Sequence, residues 1–248
     1  MSLRVIAGQF GGRKLESVPG YGTRPLLGQV REALFNILGE DVEGALVWDL
    51  FAGTGASGIE ALSRGARRVV FVEKGIRAIR VLHTNLGLID PDRELDYEVV
   101  RANAWAPPRP CGGMAPAGSG MADAETEVDE DREDDREDDE TLDDVRDDDG
   151  DGDDDDDGHE AATSSRSDGL QPEEEAPQLI FLDPPYLDVR EDPTLAVARA
   201  AALYDRLAPG GKLLFHFPDG VLDEDDFERF AHVDLRVWGQ AAVAILTR

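Results

Sequence analysis

Four consecutive residues, Asp183-Pro184-Pro185-Tyr186, bring together a carboxylate, carbonyl oxygens and an aromatic ring. The two prolines freeze the backbone and remove two N–H donors. What is left accepts hydrogen bonds from an exocyclic amine and stacks on a flat base. A second cluster, Asp49-Leu50-Phe51-Ala52-Gly53-Thr54-Gly55, pairs an acid with glycines that let the backbone approach a ligand closely. Asp49 can accept from a ligand ammonium or from a bound water. The spacing is not G-x-G-x-x-G, because Ser57-Gly58 follows Gly55 and no third glycine falls in register, so a dinucleotide site is disfavoured. Glu73 closes an apolar run and is placed to hydrogen-bond the two hydroxyls of a ribose. Asn103 closes another and can meet an adenine edge. Each feature also has a bland reading: a tight turn, a solvated strand-end acid, a loop asparagine, a rigid turn with a surface tyrosine. Taken together they specify two ligands, an adenosine-like cofactor and an amine-bearing base.

These residues are useful only if the elements carrying them converge. Ala45 to Phe51 reads as a buried strand, followed by a Gly-rich turn and a short helix from Ser57 to Arg64. Arg68 to Glu73 is a second strand, followed by a helix from Ile76 to Leu88 with Ile76, Ile79, Leu82 and Leu86 on its apolar face. Tyr97 to Ala102 is a third strand and Gln178 to Asp183 a fourth. An Ala-rich helix runs from Pro193 to Leu207, and Pro209-Gly210-Gly211 introduces a fifth strand, Lys212 to Phe217. Val233 to Trp238 and Ala241 to Thr247, split by Gly239-Gln240, form a closing hairpin. Near-continuous apolar strands alternating with helices predict a doubly wound α/β domain: a mostly parallel seven-stranded sheet with an antiparallel edge hairpin. In such a sheet ligands lie beyond the carboxyl ends of the strands, where all the candidate motifs fall.

Residues 1–40 differ from the rest. Leu3 to Ala7 and Arg13 to Val18 can pair across Gly8 to Gly12, and Val30, Ala33, Leu34, Ile37 and Leu38 mark one helix face. Arg4, Arg13, Lys14, Arg24 and Arg31 outnumber Glu16 and Glu32 there, which makes this small extension a candidate contact for phosphates.

The 248 residues carry a net charge of −29, very unevenly spread. Residues 112–177 hold 29 of the 54 acidic residues and four of the 25 basic ones, a net of −25. The other 182 residues are close to neutral at −4, so an acidic surface of the halophilic kind is excluded as the main explanation. The segment's low hydrophobicity and self-repulsion predict a disordered insertion, 112–177, within an α/β domain spanning 41–248. The rest is enough for one core. Cys111 is the only cysteine, which excludes an internal disulfide and suits a reducing compartment. No apolar run reaches the roughly 20 residues of a membrane span, and the first dozen residues lack a signal-peptide core. A cytoplasmic protein is expected. The scattered His83, His159, His216 and His232 suggest no metal site, and no heptad or repeat points beyond a monomer.

Asp49 to Gly55, the acid ending the second strand and Asp183 to Tyr186 resemble the motifs of Rossmann-like amino-methyltransferases that use S-adenosylmethionine. Further strings narrow the resemblance to the RsmD family. They are Arg4-Val5-Ile6-Ala7-Gly8, Gly12-Arg13-Lys14-Leu15, Arg24-Pro25, Val30 to Asn36, Gly58 to Ala66 and Val237-Trp238-Gly239. That family methylates the N2 amine of one guanine in bacterial 16S ribosomal RNA. The resemblance implies that Asp49, Phe51, Gly53 and Gly55 line the methionine end of S-adenosylmethionine, Glu73 its ribose and Asn103 its adenine. It implies that Asp183, the Pro184 carbonyl and Tyr186 hold the guanine, with no metal. The partner is then 16S RNA or the assembling small subunit, contacted through Arg4, Arg13, Lys14, Arg24 and Arg31. One departure stands out: where the family reads Thr-Thr-Asp-Arg, this chain has Leu26-Leu27-Gly28-Gln29. Polar contacts expected there are lost or replaced. Two other readings stay open. One is the same chemistry on adenine N6 of DNA or RNA. The other is a non-catalytic protein of this fold whose acidic insertion binds basic ribosomal proteins.

Overall fold

The computed structural model describes residues 3–18, 25–107 and 175–248. The apolar runs become seven strands: β1 (Leu46–Leu50), β2 (Arg68–Glu73), β3 (Tyr97–Arg101), β4 (Leu179–Leu182), β5 (Lys212–Pro218), β6 (His232–Trp238) and β7 (Ala241–Thr247). They form one sheet in the order β3-β2-β1-β4-β5-β7-β6. The first five run parallel, and β7 is antiparallel to both β5 and β6. The helices are α1 (Pro25–Leu38), α2 (Ala56–Ser63), α3 (Ile76–Ile89), α4 (Tyr186–Glu191) and α5 (Pro193–Tyr204).

β1 and β4 are buried at every position, as strands must be when helices cover both faces of a sheet. On one face Phe35, Ile59, Leu62, Leu82 and Leu86 pack with Val47, Phe71 and Phe181. On the other, Val189, Ala200, Leu203 and Phe227 pack with Trp48, Leu182 and Phe215. The chain changes face between β3 and β4, so strand order reverses between β1 and β4 and opens a crevice at their carboxyl ends.

Three differences from the sequence reading have local causes. The N-terminal pair is a single antiparallel bridge, Arg4 with Lys14, rather than a ladder. Val5 N–H donates to the Arg13 carbonyl, Gly12 N–H to that of Val5 and Leu15 N–H to that of Leu3, and further donors reach side chains of the domain. Ile6 and Ala7 N–H donate to the fully buried Glu60 carboxylate (2.6 and 3.0 Å), Phe10 N–H to Ser63 Oγ and Glu16 N–H to Asn85 Oδ1. Gly8 sits so close to α2 that a Cβ would lie 1.8 Å from the Ser63 carbonyl oxygen. The extension therefore shares the sheet's core through Val5 and Leu15. A short helix, α4, was not foreseen, because six residues are too few to show a period. Lastly, the described residues begin again at 175, within the expected insertion: Pro177 is buried and its carbonyl accepts from Ala208 N–H. The rest of the acidic segment lies outside the described residues.

Candidate active site

Asp49 is the fourth residue of β1 and only 3 % exposed. Its Oδ2 accepts from Gly58 N–H at 2.8 Å, which fixes the start of α2 against the strand. Burial pushes its carboxyl up to about 7; the Gly58 hydrogen bond opposes this, the charges of Asp183 and Glu73 add to it, and Arg31 opposes it. The turn that follows is tightly constrained. Phe51 adopts φ 60°, a left-handed conformation that costs a non-glycine residue on the order of 1 kcal/mol or more. Gly55, at φ 78°, caps α2, and a Cβ there would meet Leu82 Cδ1 at 2.2 Å, so only glycine lets α3 pack this close.

Glu73, at the tip of β2, holds the neighbouring turns. Its Oε2 accepts from Gly53 N–H (3.0 Å), and its Oε1 from Lys74 and Gly75 N–H (2.9 and 2.8 Å). A carboxylate has about four acceptor sites, so capacity for a hydroxyl remains. Asn103 is exposed and its Oδ1 accepts from Trp105 N–H at 3.1 Å. Trp105 itself packs edge-on against Phe51 with centroids 5.2 Å apart, and its Nε1–H donates to Asp188 Oδ2 of α4. This indole, which the sequence reading passed over, links the cofactor-side turn to the helix that carries Tyr186.

Asp183 leaves β4 beside β1, its N–H directed to the Leu50 carbonyl at 3.4 Å. Its side chain is 47 % exposed. Pro184 is buried, Pro185 precedes α4 with φ −53° and ψ 134°, and Tyr186 opens the helix half-buried. The sequence reading dismissed His216, yet it stands directly behind this string. Its Nδ1 lies 2.6 Å from Asp183 Oδ1, its Nε2 lies 3.0 Å from Tyr186 Oη, and it is 6 % exposed. The signal was there: one polar residue interrupts the apolar β5, and the pairing of Leu182 with Phe215 sets the next residues, Asp183 and His216, side by side.

The cations divide into two groups. Arg4, Arg13 and Lys14 are exposed; Arg4 Nη1–H also donates to the Gly12 carbonyl and Arg13 Nη1–H to that of Leu88. Arg31 does not face solvent as expected. It is 8 % exposed, donates through Nη2 to the Arg4 carbonyl, and its Nε is buried without a hydrogen-bond partner among the described residues. Packed under the N-terminal extension, Arg31 is turned away from solvent, and its charge has the smallest influence on the Asp49 carboxyl. Arg24, and the side chains of Leu26 and Leu27 in the departure segment, lie outside the described residues. Another basic row was missed. Lys74, Arg77, Arg80 and His83 are exposed along α3 and its approach, no acid occurs from residue 74 to 89, and none of the four makes an ion pair among the described residues.

The sheet order, the switch point and the turn after β1 define the Rossmann-like α/β fold of methyltransferases. Solved structures agree. A putative methyltransferase, yhhF, from Escherichia coli superposes with a TM-score of 0.58 at 22 % identity, over 100 % of this chain and 98 % of that one. A Thermus thermophilus 16S rRNA N2 G1207 methyltransferase (RsmC), in complex with AdoMet and guanosine, gives 0.55 at 18 % identity, over 100 % of this chain and 50 % of that one. Residues 3–106 match the family model described as Conserved hypothetical protein 95. The putative rRNA methyltransferase YlbH of Bacillus subtilis is 43 % identical over 88 residues, 36 % of this chain and 48 % of that one. The ribosomal RNA small subunit methyltransferase D of Escherichia coli is 39 % identical over 104 residues, 42 % and 51 %. Over residues 3–106 the chain is similar to this family and to these two relatives. Its matches span about half the length of those relatives.

Proposed function

We propose that the chain is a methyltransferase that uses S-adenosylmethionine to methylate the N2 amine of a guanine in small-subunit ribosomal RNA. The observation that carries this reading is the convergence of Asp49, Glu73 and Asp183 at the carboxyl ends of the adjacent strands β1, β2 and β4. The electrostatic influence of the other two acids on Asp49 reflects it. A buried carboxyl held up to about 7, with two more acids beside it, is a site short of a cation. S-adenosylmethionine fits that deficit, because it carries a sulfonium and an ammonium, and the glycine turn admits it closely. The exposed side of the same crevice is Asp183 to Tyr186.

When bound, the cofactor supplies an electrophilic methyl group. The chain's own residues do the rest. The Asp183 carboxylate and the Pro184 carbonyl accept N–H from the target amine, which draws the nitrogen lone pair out of conjugation with the ring. The Tyr186 ring fixes the plane of the base. Catalysis of this kind rests on positioning and fixed dipoles rather than on a strong base. Asp183 is half exposed, so the proton that the methylated nitrogen sheds has a path along it to water. The base has to be unstacked to reach the crevice. Arg4, Arg13 and Lys14, with Lys74, Arg77 and Arg80 of the α3 row, supply phosphate contacts. The relatives named as ribosomal RNA methyltransferases support the choice of substrate.

The test is transfer of labelled methyl from S-adenosylmethionine to unmodified small subunits, naked 16S RNA and duplex DNA, with nucleoside analysis of the product. N2-methylguanine in the RNA is expected. N6-methyladenine, or cofactor binding with no product from any of the three, would overturn the proposal.

A further inference from the structure

We infer that Trp105 is a positioning residue: through one hydrogen bond it fixes helix α4, and with it the Tyr186 ring, against the cofactor-side turn. This rests on the reading of Asp183 to Tyr186 as the base site. α4 is six residues long, and no side chain caps its N-terminus. A helix that short does not hold its place alone, because nucleation costs more than so few backbone bonds return. Side chains that leave it must set its position. Val189 is buried in the core with Leu182 and Phe215. Tyr186 Oη lies 3.0 Å from His216 Nε2. Asp188 Oδ2 accepts from Trp105 Nε1–H at 3.1 Å, and this bond reaches toward the cofactor side.

Trp105 is itself held from several directions. Its ring stands edge-on to Phe51, with centroids 5.2 Å apart and planes at 74°. Phe51 belongs to the turn after β1 and adopts φ 60°. From α5, the Arg199 guanidinium lies 5.3 Å from the indole centroid. The backbone is fixed as well: Trp105 N–H donates to Asn103 Oδ1 and Arg206 Nη1–H to the Pro107 carbonyl, both at 3.1 Å. The side chain therefore acts as a post whose one donor, Nε1–H, points at α4. Phenylalanine could cover Phe51 as well, but it has nothing to offer Asp188. Asp188 lies two residues beyond Tyr186, so the bond restrains the turn that carries the Tyr186 ring. Without it α4 keeps Val189 in the core but gains freedom to rock, and the plane of the base tilts from the line of methyl transfer. A displacement of about 1 Å at a reacting centre costs up to about a hundredfold in rate. Affinity for the cofactor, set by Asp49, Glu73 and the glycine turn, does not pass through this bond, nor does affinity for RNA, set by phosphate contacts.

The experiment measures kcat and KM of the full chain for the RNA substrate that accepts methyl in the transfer assay. Affinity for S-adenosylmethionine is followed by calorimetry, and melting temperature is recorded for each variant. Trp105→Phe and Asp188→Ala are each expected to lower kcat about tenfold or more, with KM for RNA and affinity for the cofactor within about threefold of wild type. The double variant should be no slower than the slower single one, because both substitutions remove the same bond. In Asp188→Asn the amide oxygen still accepts from the indole, and kcat should return to within about threefold of wild type. An indole that only fills space would leave Asp188→Ala at wild-type kcat. One that only stabilises the fold would lower melting temperature and cofactor affinity in step with kcat. Either result overturns the inference while N2-methylguanine formation by the wild type still stands. So does wild-type kcat in Trp105→Phe, an additive loss in the double variant, or an Asp188→Asn as slow as Asp188→Ala. Absence of N2-methylguanine from the wild-type product overturns the functional reading itself.

Discussion

Protonation of Asp49 should govern how tightly the cofactor binds. The carboxyl sits 3 % exposed with one backbone donor, Gly58 N–H, and its proton is held until about pH 7, against an ordinary value of 3.8. The groups that act on it are Asp183, Glu73 and Arg31. A raised carboxyl means that the folded chain keeps a proton which the unfolded chain has already released. Stability therefore falls as pH rises from about 4 to about 7 and levels off above that. Three pKa units correspond to about 4 kcal/mol at most. A cationic ligand reverses the preference, because it pairs with the ionised form. If only ionised Asp49 binds, affinity scales with the ionised fraction. The dissociation constant should then be about tenfold weaker at pH 6 than at pH 8 and nearly flat above pH 8. Asp49→Asn separates the effects. The amide oxygen still accepts from Gly58 N–H, so the turn holds, but the charge is gone. The variant should bind S-adenosylmethionine more weakly at pH 8 and lose the Asp49 part of the pH slope. Titration of the ligand's own amine occurs with both proteins and cancels in their ratio. Calorimetry at pH 6, 7 and 8 gives the affinities, and urea midpoints at pH 5 and 8 should show the variant gaining stability on wild type as pH rises. A wild-type dissociation constant unchanged between pH 6 and 8, or an equal slope in Asp49→Asn, refutes the argument.

Other outcomes follow from the same geometry. Asp183→Ala should lower kcat by at least about a hundredfold while leaving calorimetric affinity for S-adenosylmethionine within about threefold; an active variant sinks its role. Replacing Arg77 and Arg80 together by Glu should weaken RNA binding and lower the slope of log affinity against log salt by about 2. An unchanged slope removes α3 from the interface. Glu60→Ala strips the acceptors of Ile6 N–H, Ala7 N–H and Arg64 Nε–H, and should cost about 3 kcal/mol in denaturant unfolding. A loss below about 1 kcal/mol would mean that the N-terminal segment holds without it.

Local pattern made the sheet readable. Short, mostly apolar runs of four to seven residues leave little choice of type, and the crossover rule then places the carboxyl ends of the parallel strands together. The motif residues Asp49, Glu73 and Asp183 were legible because each occupies such an end. Less legible was whatever depends on register between strands distant in sequence. His216 is 33 residues from Asp183 and becomes its neighbour only through the β4–β5 pairing. Trp105 meets Asp188 across 83 residues. Arg31 shows the opposite failure. Its charge was plain and its burial was not, because the apolar face of α1 leaves the arginine's orientation to tertiary packing.

The two sides of the crevice follow opposite electrostatic logics. On the cofactor side, Asp49 and Glu73 concentrate negative charge where little water reaches, which favours a positively charged ligand over a neutral one. If S-adenosylmethionine binds there as proposed, loss of its methyl group would turn the sulfonium into a neutral thioether, which the same acids would hold less strongly. On the base side, Asp183 would extend that negative field to the substrate if it stood alone. Its Oδ1 lies 2.6 Å from Nδ1 of the buried His216, which fixes the direction of the carboxyl group. In the proposed function, the ends of β2, β1 and β4 set a carboxyl group on each side of the reacting atoms.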